Sequence, residues 1–244
     1  MAFSHNPKIP TSGLVFNWNG LDKISWDGSS SSHKDLVSGA TGTKGGANSL
    51  SLTNNHVSWT GNGDRVCVVT FNSSDITVPT GDEGTWIWAS YFSDAGSIDH
   101  PNFGKETGSS WDGTNGFVFG TGWGTDGLRA GVGGTAYTPF DETGADTGDY
   151  RPDVWQMYAV TYLRNDGNGL KTYLHDSNGQ RLVNTKTTSD SAIGSNSNAL
   201  YLGATNTRGG NWNGNMDFVL MYNRVLTQDE IFSVFNNHKH RFGL

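Results

Sequence analysis

The chain has 244 residues, among them 34 Gly, 23 Asn and 19 Asp, types whose tolerance of left-handed or locally hydrogen-bonded backbone disfavours a helix bundle. A formal charge of -7, with four Glu against 16 Lys plus Arg, excludes the basic field that nucleic acid or anionic lipid requires, and no run approaches the roughly 20 apolar residues that span a bilayer. Aromatic residues at 12%, nine of them Trp, supply the apolar area that a disordered chain lacks.

In chain order, the opening Met1-Ala2-Phe3-Ser4-His5-Asn6-Pro7-Lys8 lacks the charged-then-apolar order of a secretory leader, which predicts synthesis in a cytoplasm. Residues 1–10 are expected to form an N-terminal arm and residues 11–244 a single domain, because no linker separates two composition regimes and no internal repeat is visible. Short β-rich runs follow at residues 13–16, 66–71, 85–92, 116–119, 155–163, 170–174, 199–202 and 216–222, between glycine-rich breaks. That spacing predicts an all-β sandwich or barrel. Two long polar stretches, 25–51 and 93–116, exceed tight turns and are expected to be ligand loops or contacts to a neighbour. Cys67, the only Cys, sits among Val66, Val68 and Val69 and is expected to be a buried thiol.

The clearest local pattern is a hairpin over about 155–185. Trp155-Gln156-Met157-Tyr158-Ala159-Val160-Thr161-Tyr162 and Leu170-Lys171-Thr172-Tyr173-Leu174 alternate as half-buried antiparallel strands do. The connectors Asn165-Asp166-Gly167-Asn168-Gly169 and Ser177-Asn178-Gly179 accept the positive φ of tight reversals. One short helix is signalled near the end. Thr227 caps it, Glu230 returns the bond, Leu226 staples against Ile231, and Ile231, Val234 and Phe235 form an apolar stripe to seal one face or edge of the sandwich.

Several segments together resemble a known pattern: Pro10-Thr11-Ser12-Gly13-Leu14-Val15-Phe16 as opening strand, the turn Asp35-Leu36-Val37-Ser38-Gly39, Phe71-Asn72-Ser73-Ser74-Asp75-Ile76, a core strand with Trp86 and Trp88, Val154-Trp155-Gln156-Met157-Tyr158-Ala159-Val160-Thr161-Tyr162, Lys171-Thr172-Tyr173-Leu174-His175-Asp176, Leu200-Tyr201-Leu202-Gly203, and the run from Trp212 through Leu226. In this order they resemble laminin G-like, concanavalin A-like lectin/glucanase domains of the version found in structural proteins of tailed bacteriophages and marine viruses. The closing Lys239-His240-Arg241-Phe242-Gly243-Leu244 is similar to endings of virus members. Asn19 stands where the opening strand often has Asp, Ser73 replaces a Gly, and His175-Asp176-Ser177 replaces an Asp-Gly turn. The resemblance implies a two-sheet antiparallel jelly-roll sandwich with one short C-terminal helix. It also implies a non-enzymatic virion component, on capsid or tail, that contacts other virion proteins, other copies of itself or host-surface glycan. A free carbohydrate-binding lectin module and a glycoside hydrolase are the alternatives.

Hydrolysis of glycosides needs two opposed carboxyl groups. The glucanase template places two Glu with an Asp between them on one strand face, whereas Glu83, Glu106, Glu142 and Glu230 are far apart here. No other catalytic signature is present, and His238 and His240 are expected to be solvated or to serve assembly. Calcium in relatives implies Asp75, with Asn72 or Asp217, as ligands; the alternative is that these carboxylates accept backbone N–H groups at strand ends. Glycan recognition needs aromatic planes beside amides and carboxylates. Trp111, Asp112, Asn115, Trp123, Asp126, Arg208 and Asn211 offer that mixture, whereas Trp212 reads as core. The segments 1–10 and 242–244 are expected to dock onto a partner.

Overall fold

The computed structural model describes residues 9–45, 50–53, 56–59, 68–92, 100–107, 113–121, 127–141, 151, 153–204 and 214–244. Its strands are β1 (Leu14–Asn19), β2 (Ser32–Lys34), β3 (Thr41–Gly45), β4 (Leu50–Thr53), β5 (His56–Trp59), β6 (Val68–Phe71), β7 (Glu83–Phe92), β8 (His100–Lys105), β9 (Phe117–Thr121), β10 (Gly127–Val132), β11 (Thr135–Asp141), β12 (Trp155–Leu163), β13 (Leu170–Asp176), β14 (Gly179–Lys186), β15 (Leu200–Leu202) and β16 (Gly214–Tyr222). One helix, α1 (Gln228–His238), runs into a 3-10 turn at Lys239–Arg241. The strands form two antiparallel sheets. The first runs β14-β13-β12-β7-β16-β5-β4, with β1 also on β16, and the second β11-β10-β9-β8-β15-β6-β3-β2. The expected all-β sandwich with one C-terminal helix is the observed fold.

Alternation decides which side chains enter the gap between the sheets. Trp86, Trp88, Tyr158 and Tyr162 enter from the first, and Phe71, Phe103, Phe117 and Phe119 from the second, all essentially without exposure. Trp88 lies 5.1 Å from Phe119 and 5.3 Å from Tyr158 between ring centres, within the range of favourable aromatic pairing.

The 155–185 pattern is the β12–β13–β14 meander, with Asn165 (φ 52°) and Gly179 (φ 93°) in the left-handed region at its reversals. Strands β12 and β13 are not half-buried, however, whereas β14 is. Seven consecutive residues of β12 are buried, because Ile87, Met157, Ala159, Phe218 and Leu220 on the outer face of the first sheet are covered by Leu226, Ile231, Val234, Phe235 and Phe242. Helix α1 therefore makes a third layer. Its capping box is formed as expected, with Glu230 N donating to Thr227 Oγ1 at 3.3 Å and Thr227 N donating to Glu230 Oε2 at 2.9 Å.

Two expectations are corrected. The stretches read as long loops contain β2, β3, β4 and β8. Their Ser, Thr and Gly content suits short strands and hides the period-2 signal. The closing segment is no free docking arm either: Phe242 is buried, with its ring 4.7 Å from Trp155 and 6.0 Å from His56. Residues 1–8 and Cys67 lie outside the described residues.

Candidate functional site

Strand register locates the segments proposed to meet glycan. His100 pairs with Thr121 and Leu202 with Phe103, so the connections after β9 and after β15 leave the same end of the second sheet. The connection between β8 and β9 leaves the opposite end, where Lys105 pairs with Phe117. Asn115 belongs to the connection between β8 and β9. The other candidates, Trp111, Asp112, Trp123, Asp126, Arg208 and Asn211, lie outside the described residues, as does Trp212.

Asn115 is a turn residue with φ 53°; its side-chain amide donates to Thr107 Oγ1 at 3.2 Å, and its carbonyl accepts from Asn196 Nδ2. Beneath it lies an arrangement not anticipated from sequence. Lys105, 5% exposed, donates from Nζ to Asn196 O at 2.5 Å, Asn196 Oδ1 at 3.0 Å and Asn198 O at 2.6 Å, and burial lowers its pKa. An ammonium group fills this oxygen nest and ties the rim of the second sheet together.

The residues expected to hold calcium separate. Asp75 follows β6 in the second sheet, where Oδ1 accepts from Ser74 Oγ at 2.8 Å and Oδ2 from Asn72 Nδ2 at 3.2 Å. Asp217 sits in the first sheet at the β16 irregularity, without exposure, where Oδ1 accepts from Val57 N at 2.8 Å and Oδ2 from His56 Nδ1 at 2.7 Å. Asn72 presents an amide nitrogen, not an oxygen, to the carboxylate, and among the described residues no three His, Cys, Asp or Glu side chains gather. This donor set does not fit a calcium ion, whose ligands are oxygens with free lone pairs. For Asp217 the strand-end reading holds.

A cavity of about 470 Å³ opens elsewhere, on the outer face of the first sheet between β1, β16 and the turn that follows α1. Asn17 and Asn19 reach it because they alternate with the core residues Phe16 and Trp18, and Phe218 and Leu220, their register partners, form its apolar floor. Asn237, at the end of α1, and Arg241, in the 3-10 turn, complete the wall with Asp22. Asn237 is 7% exposed, and neither its Nδ2 nor its Oδ1 has a hydrogen-bond partner. Arg241 Nη2 donates to Asn19 Oδ1 at 3.0 Å, and no carboxylate forms an ion pair with this guanidinium among the described residues. Burial lowers the Arg241 pKa, while Asp217 and Asp22 act in the opposite direction. His238 lines the same cavity. Its ring stacks 4.4 Å from Phe218, its Nδ1 donates to Val234 O at 2.9 Å, and burial pulls its pKa down to about 4. His238 is thus half-buried against Phe218, whereas His240 is exposed. Nothing in the sequence pattern flagged Asn17, Asn237 or Arg241. An Arg just past a capped helix in a tail with buried aromatic neighbours was the available signal.

With this geometry in hand, comparison with known proteins identifies the domain. The family model described as "Concanavalin A-like lectin/glucanases superfamily", of the laminin G type, matches residues 44–232. The chain belongs to this superfamily. Among solved structures, the superfamily fold seen here is similar to that of Trypanosoma rangeli sialidase, with a TM-score of 0.60 and 14% identity over 96% of this chain and 34% of that one. The chain thus spans about a third of the sialidase's length. It is also similar to domain 4 of AbnA, an extracellular arabinanase from Geobacillus stearothermophilus, in complex with arabinotriose; the TM-score is 0.58 and the identity 13%, over 91% of this chain and 98% of that one. The binding domain of botulinum neurotoxin DC in complex with rat synaptotagmin II gives a TM-score of 0.59 and 13% identity over 94% of this chain and 52% of that one. No curated protein matched. At these identities the structures share the fold.

Proposed function

We propose that the chain is a non-catalytic carbohydrate-recognition module that serves as a structural or decoration protein of a virus particle and contacts host-surface glycan. The observation that carries the carbohydrate reading is the near-complete mutual overlap with arabinanase domain 4, a discrete domain of the same extent in complex with an oligosaccharide. The non-catalytic part is supported by two of the described glutamates: Glu230 is held by Arg224 at 2.5 Å and by the helix cap, and Glu83 accepts from Val225 N at 3.3 Å, so both are engaged in local structure. The viral setting rests on the resemblance of the opening and closing segments to virion members of the family. Trp111, Asp112, Asn115, Trp123, Asp126, Arg208 and Asn211 are the proposed glycan contacts.

A glycan array with the intact chain tests the reading. Capture of a defined glycan class, weakened by Trp111→Ala or Trp123→Ala, supports it; an array without a binder refutes the lectin role, and release of reducing sugar refutes the non-catalytic one. Co-sedimentation with assembled particles tests the virion assignment, and a chain left in the supernatant argues for the free lectin module.

A further inference from the structure

The cavity lies on the outer face of the first sheet, and its wall is built with more polar capacity than the protein itself uses. A buried amide with neither donor nor acceptor satisfied costs roughly 1–3 kcal/mol per group, so such an amide in the wall of a cavity gains from a polar group that enters. Asn237 is such a group, with both side-chain polar atoms unpaired at 7% exposure. Arg241 stands beside it with a single side-chain hydrogen bond, to Asn19, and with no ion pair among the described residues. A guanidinium presents five donors in a planar fork that matches a carboxylate two bonds at a time. Asp22 and Asn17 add acceptors and donors suited to hydroxyl groups. The volume of about 470 Å³ lies within the roughly 300–1,000 Å³ range of small-ligand sites and suits one sugar ring better than a polymer lying along its length.

We propose that this cavity is a second binding site, which takes one carboxylate-bearing sugar residue of the uronic-acid class, with Arg241 on the carboxylate and Asn237, Asn17 and Asp22 on the hydroxyls. The sugar part rests on the carbohydrate reading above, whereas the carboxylate part rests on Arg241 alone.

Calorimetric titration of the intact chain with sodium D-glucuronate, D-glucose and sodium acetate separates these parts. Glucuronate is expected to bind at least tenfold more tightly than either glucose or acetate. Arg241→Gln reduces it to the glucose level, and Asn237→Asp, which keeps the side-chain size and sets a negative charge against the ligand, weakens it at least tenfold. Glucuronate binding no better than glucose overturns the site. Acetate binding as tightly as glucuronate overturns the sugar and leaves a bare carboxylate pocket. If a variant does not fold, the comparison of three ligands on the unaltered chain still decides. Array signals for neutral glycans from a chain that ignores glucuronate would refute the cavity site and leave the module reading standing.

Discussion

Single side chains in this fold carry unusual electrostatic burdens. Lys105 is the sharpest case, because three oxygens converge on one buried ammonium. In Lys105→Met the chain keeps the apolar stem and loses the charge, stranding two backbone carbonyls. The expected cost is about 2–4 kcal/mol, read from urea unfolding midpoints, since unsatisfied buried acceptors each cost about 1–3 kcal/mol. Histidine gives the pH dependence. His33 is fully buried, stacked 5.2 Å from Trp26, and accepts from Trp18 Nε1 at 3.3 Å; burial first, with Lys44 adding to it against Asp27, lowers its pKa from 6.5 to about 4. His238 shifts in the same direction to the same value. In both, the unfolded chain takes its proton first, so their contribution to stability is complete above pH 6.5 and drains away as pH falls toward 4. Glu230, held down to about 2 mainly by Arg224, loses its contribution only below its ordinary 4.5. Melting temperature should therefore fall between pH 6.5 and 4 before carboxylates join, and His33→Gln, which keeps an acceptor for Trp18, should flatten that first segment. An unchanged slope would assign the acid response to other groups.

At the level of strands, the joint at β16 governs how the first sheet is assembled. One side of β16 is lined by β5 near Gly214 and by β1 from Phe218 onward, so two strand ends meet beside Asp217. Its carbonyl accepts from Gly20 N at 2.8 Å while its carboxylate takes Val57 N and His56, and a Cβ on Gly20 would stand 2.4 Å from Val57 Cγ2. Asp217→Ala strands a buried N–H and a partnered imidazole together. A loss of about 2–4 kcal/mol is expected, with amide exchange of Gly20 and Val57 accelerated ahead of the rest of the sheet. Such a joint is invisible to sequence periodicity. What was legible were the strands rich in aromatic and aliphatic residues, β7, β12, β13 and β16, and the capped helix, because their local preferences agree with their environment. Strands such as β2 (Ser-His-Lys) and β3 (Thr-Gly-Thr-Lys-Gly) owe their state to pairing, β2 with β3 and β3 with the more distant β6, and not to their own composition. Asp217 drew notice as an acidic family position, yet only the contact with β5 shows that it serves the sheet.

Across the whole molecule, the asymmetry of the two sheets follows from where the chain ends. The first sheet carries a helix and a closing turn over its outer face, which turns a half-buried antiparallel sheet into one buried on both sides and creates the cavity at its margin. Alternating sequence alone implied a solvated outer face. The signal to the contrary was the apolar character of the outward positions Ile87, Ala89, Met157, Ala159, Phe218 and Leu220, which makes β7, β12 and β16 nearly continuous hydrophobic runs, the mark of a doubly covered sheet. The closing residues are therefore part of the fold. Phe242 joins His56, Trp155 and Phe218 in one aromatic cluster, with rings 4.7 Å apart at Trp155 and 6.2 Å at Phe218. Removing a buried Phe side chain costs about 3–5 kcal/mol, and at this chain length each kcal/mol moves the melting temperature by about 2–4 °C. Phe242→Ala should thus lower Tm by about 6–20 °C. Truncation after residue 238 should lower it at least as far and increase binding of a hydrophobic dye as Phe218 and Trp155 gain exposure. A segment that serves only as a docking arm would be removable from the isolated chain without loss of Tm, so a truncated chain that melts with the intact one would return these residues to a partner. The same variant bears on the cavity: it lacks Arg241, and its affinity for glucuronate should fall along with its stability, whereas Phe242→Ala, assayed well below its lowered Tm, keeps the guanidinium and should keep more of the binding.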